Sequence, residues 1–163
     1  MASTLAAAAE RAEGLDEQGL AALRAEVADD VEAGARSADF RERALAYRAV
    51  GQLRFRQKLE LLTRGLEDES PACRGAALLS LEALSRNHPG PANAVRSRLH
   101  QLANDDPNAA VRRLAVACLK NGSPQRDTIG LLEGLAEDDR QERDLRAMAA
   151  RVADVLRRKS RER

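Results

Sequence analysis

Aromatic side chains are scarce in this chain. Only 2% of its 163 residues are aromatic, and there is no Trp. Hydrophobic residues nevertheless make up 44%, so Ala, Leu and Val must form the interior. Small side chains favour closely packed helices over a core built around large rings. Stretches in which Val, Ile, Thr or aromatic residues alternate with polar ones are also few, which argues against strands. The composition therefore predicts an all-α fold.

Long apolar runs and cysteine are scarce as well. No stretch approaches the roughly 18 uncharged apolar residues of a membrane span. No basic segment precedes the Ala-rich start of the chain, so we expect no signal peptide and a cytoplasmic location. The two cysteines, Cys73 and Cys118, fall within predicted helices. We expect them to be small buried thiols, not a disulfide or a reactive pair.

Residues with catalytic or metal-binding chemistry are few and scattered. His88 lies in a Pro-Gly segment and His100 in a predicted helix, and neither has a Cys or second His at metal-ligand spacing. No Gly-rich phosphate loop, nucleophile elbow or zinc signature occurs. The pairs Asp105-Asp106 and Asp138-Asp139 recur at predicted helix starts, where capping explains them better than acid–base catalysis. We therefore expect no enzymatic activity, no cofactor and no metal.

Helix-breaking residues divide the chain into short helices. Residues 3–13 predict a helix that ends at Gly14, and Asp16 is predicted to cap a second helix that stops at Gly34. From there helices alternate in pairs, with strong breakers at 87–91 and 121–124. The first helix of each pair carries a Leu-rich face, formed by Leu59, Leu62 and Leu66, by Val95, Leu99 and Leu102, and by Leu132 and Leu135.

A short phrase repeats in the second helix of each pair: an acidic turn, then an Arg, then an Ala three residues later. The copies are centred on Arg43, Arg74, Arg112 and Arg146. Asp68 and Asp106 precede the second and third of these arginines by six residues. The spacings between copies are 31, 38 and 34 residues, too irregular for a tetratricopeptide array. The repetition indicates an array of helix pairs.

The phrase Asp-x-x-x-x-Val-Arg-x-x-Ala-x-x-x-Leu resembles the HEAT repeat, in the compact bacterial form also found in phycobilisome-lyase-like repeat proteins. The resemblance is best in the second and third copies. The first copy has Ser37 where the others have Asp, and the fourth has extra residues between Asp138 and Arg146. Terminal repeats of a solenoid tolerate such variation.

This resemblance implies a right-handed α-solenoid of about four helix pairs with an N-terminal helical cap. The cap and the first helix of repeat one would occupy residues 1–36, the repeat array 37–158, and a basic tail 159–163. In HEAT repeats the Asp and Arg of the phrase are structural and join neighbouring repeats by hydrogen bonds. The resemblance therefore implies a framework role for Asp68, Arg74, Asp106, Arg112 and Arg146.

The opposite face of the second helices predicts a binding surface. A step of about 100° per residue places six basic and two acidic residues there, together with Gly51, Phe55, Gly75 and Ala117. The basic residues are Arg48, Arg86, Arg113, Lys120, Arg151 and Arg158. In a solenoid this is usually the concave surface. We expect it to bind an acidic segment of another protein, with the chain acting as an adaptor or scaffold.

Other functions stay open at this point. The same bases suit sequence-independent binding to nucleic-acid phosphates, and family analogy alone suggests an accessory subunit of an enzyme such as a lyase. HEAT-like DNA glycosylases present aromatic rings beside a carboxylate to the damaged nucleotide. This chain has no Trp and only one Tyr and two Phe, which argues against a nucleobase-stacking site. The predicted binding surface also has a simpler explanation, because any polar helix face in an Arg-rich chain is basic. The tail is either solvated or in contact with nucleic acid or anionic lipid.

Charge is unevenly distributed near the N-terminus. Residues 1–40 contain nine acids and three bases, whereas residues 41–66 contain seven bases and two acids. The first helices would therefore either fold back against the basic segment or present an acidic patch elsewhere.

Overall fold

A computed structural model describes residues 2–163 of the chain. Within this range it contains ten α-helices, a 3-10 turn at Arg56–Lys58 and no strand, which confirms the all-α prediction. The helices are α1 (Ala2–Ala12), α2 (Glu17–Ala35), α3 (Phe40–Gln52), α4 (Leu59–Gly65), α5 (Pro71–Ser85), α6 (Gly90–Ala94), α7 (Arg96–Asp105), α8 (Ala109–Lys120), α9 (Arg126–Glu137) and α10 (Arg143–Arg161). Of the described helices, none has both the length and the apolar character needed to cross a bilayer.

The chain divides into two compact units, an N-terminal unit that ends at Leu84 and a C-terminal unit that begins at Ser85. In the N-terminal unit, α1, α2 and α3 pack on one another, and α4 contacts α2 and α3. In the C-terminal unit, α7 packs on α8, and α10 packs on both α8 and α9. The pairs α7–α8 and α9–α10 correspond to the helix pairs predicted around Arg112 and Arg146.

The N-terminal helices begin largely as predicted. Gly14 follows α1 with φ of 81°, a left-handed conformation that suits Gly after a helix. Asp16 caps α2, because its side chain accepts a hydrogen bond from the Gly19 amide at 2.8 Å. The predicted stop at Gly34 is wrong, since α2 continues to Ala35. A Cβ at Gly34 would lie 3.0 Å from the Ala46 Cβ, so this glycine lets α2 and α3 approach closely.

The acidic N-terminal helices fold back against the basic segment that follows them. Glu32 of α2 accepts a hydrogen bond from the Lys58 ammonium at 2.6 Å. Arg24, also on α2, is buried and donates to the Leu53 carbonyl at 3.1 Å. That carbonyl follows the last residue of α3, where helical partners are missing. Of the two arrangements open from the sequence, the structure therefore has the folded-back one.

Helices α3 and α5 approach so closely that a side-chain hydroxyl of α5 hydrogen-bonds to the backbone of α3. Ser80 Oγ accepts from the Gly51 amide at 3.0 Å and donates to the Tyr47 carbonyl at 2.6 Å. Gly51 and Tyr47 are four residues apart, so the hydroxyl contacts the amide and the carbonyl of one helical i, i+4 pair. A Cβ at Gly51 would lie 2.6 Å from Ser80 Cα. Only glycine fits here without displacing α5.

The predicted exposure of three residues on the second helices is wrong. Gly51, Phe55 and Gly75 are all buried. The prediction required each helix to have one buried face and one exposed face. Helix α3 instead has α1, α2 and α4 as neighbours and meets α5 through Ser80. A helix with neighbours on several sides has a narrower exposed strip than an amphipathic surface helix. Ala117 keeps partial exposure.

Candidate functional site

In the second, third and fourth copies of the phrase, the aspartate stabilises its own turn by a hydrogen bond and does not cap the next helix. Asp68, Asp106 and Asp138 each accept a hydrogen bond from the amide two residues later, at 2.9, 2.9 and 3.1 Å. Such Asx turns use the short carboxylate side chain to fix the backbone. In the first copy Ser37 Oγ accepts from the Asp39 amide at 3.1 Å and so takes the same place. The missing aspartate of that copy is thus replaced by a hydroxyl.

The acidic turns before α8 and α10 do not supply the predicted helix caps. Helix α8 is capped by Asn108, whose side chain accepts from the Val111 amide at 3.1 Å. At the start of α10, Glu142 makes no capping hydrogen bond with its side chain. Capping by Asp106 and Asp138 is therefore wrong, because each turn already uses its carboxylate two residues further on.

The phrase arginines bind backbone carbonyls at the preceding turn. Arg43, Arg74 and Arg112 each donate to the carbonyl six residues earlier, at 3.0, 2.9 and 2.6 Å. Arg146 donates instead to the Ala136 carbonyl, ten residues earlier, at 3.2 Å. This difference follows from the extra residues that precede it in the fourth copy. In all four copies the arginine satisfies carbonyls outside regular helical bonding, a structural task.

One ion pair joins two successive copies of the phrase. Arg43 holds both carboxylate oxygens of Asp68, at 2.8 and 3.0 Å, and the two side chains are 13% and 8% exposed. Burial pushes the pKa of Asp68 upward, but hydrogen bonds from Arg43 and the Ser70 amide outweigh it and leave that pKa below its ordinary value. The framework role that the resemblance implies for Asp68 is confirmed here. In the fourth copy Asp138 is bound by Arg140 instead, at 2.9 Å.

The six predicted binding residues are spread over both units. Arg48 is half-buried on α3 in the N-terminal unit, and the other five belong to the C-terminal unit. Arg151 and Arg158 are exposed on α10, seven residues apart and thus on one face of that helix. Lys120 is exposed at the end of α8, and Arg86 follows the end of α5.

Arg113 forms an ion pair within the chain. Its guanidinium donates to the Glu142 carboxylate at 2.8 Å, and the two side chains are 37% and 46% exposed. The expectation that Arg113 is free to meet a partner is therefore wrong. Glu142 is 29 residues away in sequence, in a neighbouring repeat. Nothing in the local sequence pattern connects the two residues.

The structure places a further basic residue, Lys159, near the predicted binding residues, although the sequence predicted it to lie in the tail. Lys159 lies within α10, is half-buried, and donates to the Lys120 carbonyl at 2.6 Å. Helix α10 continues to Arg161, so most of the predicted tail is helical. The loops after α5 and α8 lie one repeat apart in sequence, at 86–89 and 121–125. Because these two loops follow corresponding helices of successive repeats, their spacing in the sequence indicates that both lie at the same end of those helices.

Neither the histidines nor the cysteines form a chemical centre. His100 shares a hydrogen bond with Thr128 at 2.9 Å, and burial lowers its pKa. Both cysteines are buried thiols outside any disulfide, as predicted. The described residues include no group of His, Cys, Asp and Glu arranged to hold a metal. The exposed basic residues are thus the chemically distinctive surface.

Comparison with known proteins gives one match. A family model described as HEAT repeats matches residues 28–120, which is more than half of the chain. The matched region starts in α2 and ends with the last residue of α8, so it covers the first three copies of the phrase. HEAT repeats imply an α-solenoid. Neither the curated proteins nor the solved structures contain a match to this chain.

Proposed function

Because the chain belongs to the HEAT-repeat family, whose members are generally non-catalytic scaffolds for protein interaction, we propose that it is an adaptor that binds an acidic segment of another protein. The proposed contact surface is the exposed basic strip of the C-terminal unit. Its members are Lys120, Arg151 and Arg158. Arg86 belongs to the same unit. Arg48 would contribute separately from the N-terminal unit.

Charge is the observation that carries this proposal. The C-terminal unit contains 16 Lys and Arg against 11 Asp and Glu, a net charge of +5, whereas the N-terminal unit has a net charge of −4. Such asymmetry steers an acidic partner toward one half of the chain.

The availability of particular side chains supports the same proposal. Within the described residues, the side chains of Lys120, Arg151 and Arg158 form no ion pair with a carboxylate. Their charges are therefore not neutralised inside the chain. Arg113 differs, since a partner would have to displace Glu142 before it could use that guanidinium. We consequently expect Arg113 to contribute less than the other bases.

Affinity capture with charge-reversed chains tests the proposal. In the test variant Arg151 and Arg158 are both changed to Glu. The matched control reverses Arg126 and Arg143, which are also exposed bases of the C-terminal unit but lie at the starts of α9 and α10. Both variants change the net charge equally. We expect the partner to be lost from the test variant and kept by the control.

Equal capture by the two variants would show that the strip is not the contact surface. Nucleic-acid binding is the competing outcome, and salt dependence separates it from protein binding. Affinity for duplex DNA should fall with a log–log slope of about −0.9 for each phosphate neutralised. Retardation of duplex DNA at physiological salt, lost in the Arg151 and Arg158 variant, would replace the adaptor function by phosphate binding.

A further inference from the structure

A cavity with basic walls lies within the C-terminal unit. It occupies about 370 Å³ between the end of α5, the loop after α8 and the end of α10. Its charged wall is formed by Arg86, Lys159, Glu162 and Arg163. Three of these four are cations. Pockets of this volume are large enough to enclose one or two side chains of a bound segment.

Lys159 is the most constrained cation of this cavity. Its ammonium donates to the Lys120 carbonyl at 2.6 Å, which uses one of its three donors. Burial first, and then the nearby charge of Lys120, lower the pKa of Lys159. Within the described residues, no carboxylate forms an ion pair with Lys159 or with Lys120. Two like charges thus lie near each other at one end of α8 and α10, and Glu162 is the carboxylate that shares the cavity wall with Lys159. An incoming anion would stabilise both ammonium groups.

A buried hydroxyl in the wall is also without a partner. Ser85 lines the cavity, and its Oγ is buried with no hydrogen-bond partner among the described residues. Buried hydroxyl groups in folded proteins are nearly always hydrogen-bonded. A second wall hydroxyl, that of Ser123, accepts from the Asn93 amide at 2.8 Å and keeps its own proton to donate. The cavity wall therefore combines cations with the Ser123 hydroxyl, groups that can donate to a bound carboxylate.

We propose that this cavity binds a carboxylate side chain of the partner's acidic segment, with Lys159 as its principal cation. The inference rests on the proposed adaptor function and assigns its partner a specific anchoring point. Arg86 and Arg163, the other two cations of the cavity wall, would flank the bound carboxylate. A nucleic-acid backbone fits less well, because it is recognised by a basic groove that follows successive phosphates. An open pocket of about 370 Å³ matches a single acidic side chain better.

Fluorescence anisotropy with the full chain tests this site directly. The probe is fluorescein-labelled hexaglutamate, and labelled hexaglutamine controls for backbone and dye binding. We expect hexaglutamate to bind, hexaglutamine not to bind, and Lys159→Gln to weaken hexaglutamate about tenfold. Arg143→Gln, an exposed base of the same helix, should leave affinity unchanged. Lys159→Arg keeps the charge and should retain most of the affinity, which separates loss of charge from loss of folding.

Several results would overturn the inference. One is equal hexaglutamate affinity in Lys159→Gln and the unaltered chain when thermal unfolding shows both to be folded. Another is tighter competition by inorganic phosphate than by unlabelled hexaglutamate, which would make the cavity a phosphate site. A third is duplex DNA binding that Lys159→Gln abolishes.

The failure of this inference is distinguishable from the failure of the adaptor function. If reversal of Arg151 and Arg158 abolishes partner capture while Lys159→Gln leaves hexaglutamate binding intact, the adaptor function stands and the cavity assignment is wrong. If Lys159→Gln abolishes hexaglutamate binding while that reversal leaves capture intact, the cavity assignment stands and the proposed strip is wrong.

Discussion

Replacement of Gly51 by Ala should destabilise the N-terminal unit, because α3 and α5 are in contact at this position. The added Cβ would lie 2.6 Å from both Cα and Oγ of Ser80 and 2.8 Å from its Cβ. A backbone atom cannot rotate away as the end of a long side chain can. Overpacking of this kind typically costs about 1–3 kcal/mol.

Two further terms adjust that estimate. The new methyl group would displace the Ser80 hydroxyl from the Gly51 amide and the Tyr47 carbonyl, two hydrogen bonds worth about 1 kcal/mol each. Gly51 is the second-last residue of α3, so the helix propensity of alanine recovers at most about 1 kcal/mol relative to glycine. Over the whole range of the overpacking cost, the free energy of unfolding should fall by about 2–4 kcal/mol.

Urea denaturation followed by far-UV circular dichroism measures this change. The matched control is Gly130→Ala in α9, where an added Cβ meets nothing within 4 Å. This exposed glycine should gain up to about 1 kcal/mol from helix propensity alone. A Gly51→Ala chain as stable as the unaltered one would refute the close approach of α3 and α5. So would equal effects of the two substitutions.

Two other substitutions test the electrostatic contacts. Asp68→Asn should lower the free energy of unfolding by about 1–3 kcal/mol at neutral pH, since it removes the carboxylate that binds the half-buried Arg43 guanidinium with two hydrogen bonds and leaves only the exposed Glu69 near it. Because folding lowers the pKa of Asp68, that stabilisation is present above the unfolded-state pKa and is lost as pH falls through the folded-state value. Urea titrations at decreasing pH should therefore show the gap between the two chains closing, and a constant gap would contradict the ion pair. Arg113→Gln should cost less than about 1 kcal/mol in the same titration, because its bond to Glu142 is exposed to solvent. A larger loss would mean that this pair supports the fold.

The fold was readable from the sequence wherever a local rule applied. The carboxylate of Asp16 at the start of α2 and the buried Leu20, Leu23, Val27 and Val31 that follow it are local signals of cap and periodicity. The repeated phrase located the second helices for a similar reason, since its Asx turn and its arginine bond both close within six residues.

The binding residues were harder to predict because their state depends on neighbours far along the chain. The helical step put Gly51 on an exposed face, but Ser80 of α5 lies against it. It put Arg113 in solvent, but Glu142 binds it. Lys159 was missed because only the packing of α10 on α8 places its ammonium on the Lys120 carbonyl. Each of these outcomes depends on the spacing of stacked repeats, which a single helix does not encode.

Site-specific photo-cross-linking to the partner shows whether the basic strip of the C-terminal unit is the contact surface. A photoreactive side chain at Ala147, an exposed position one helical turn before Arg151, would lie within the proposed strip. The same group at Ala22, an exposed position on α2, serves as the control. We expect Ala147 to cross-link to a segment of the captured protein rich in Asp and Glu, and Ala22 not to cross-link to it. Cross-linking at Ala22 alone, or at Ala147 to a segment without acidic residues, would contradict it.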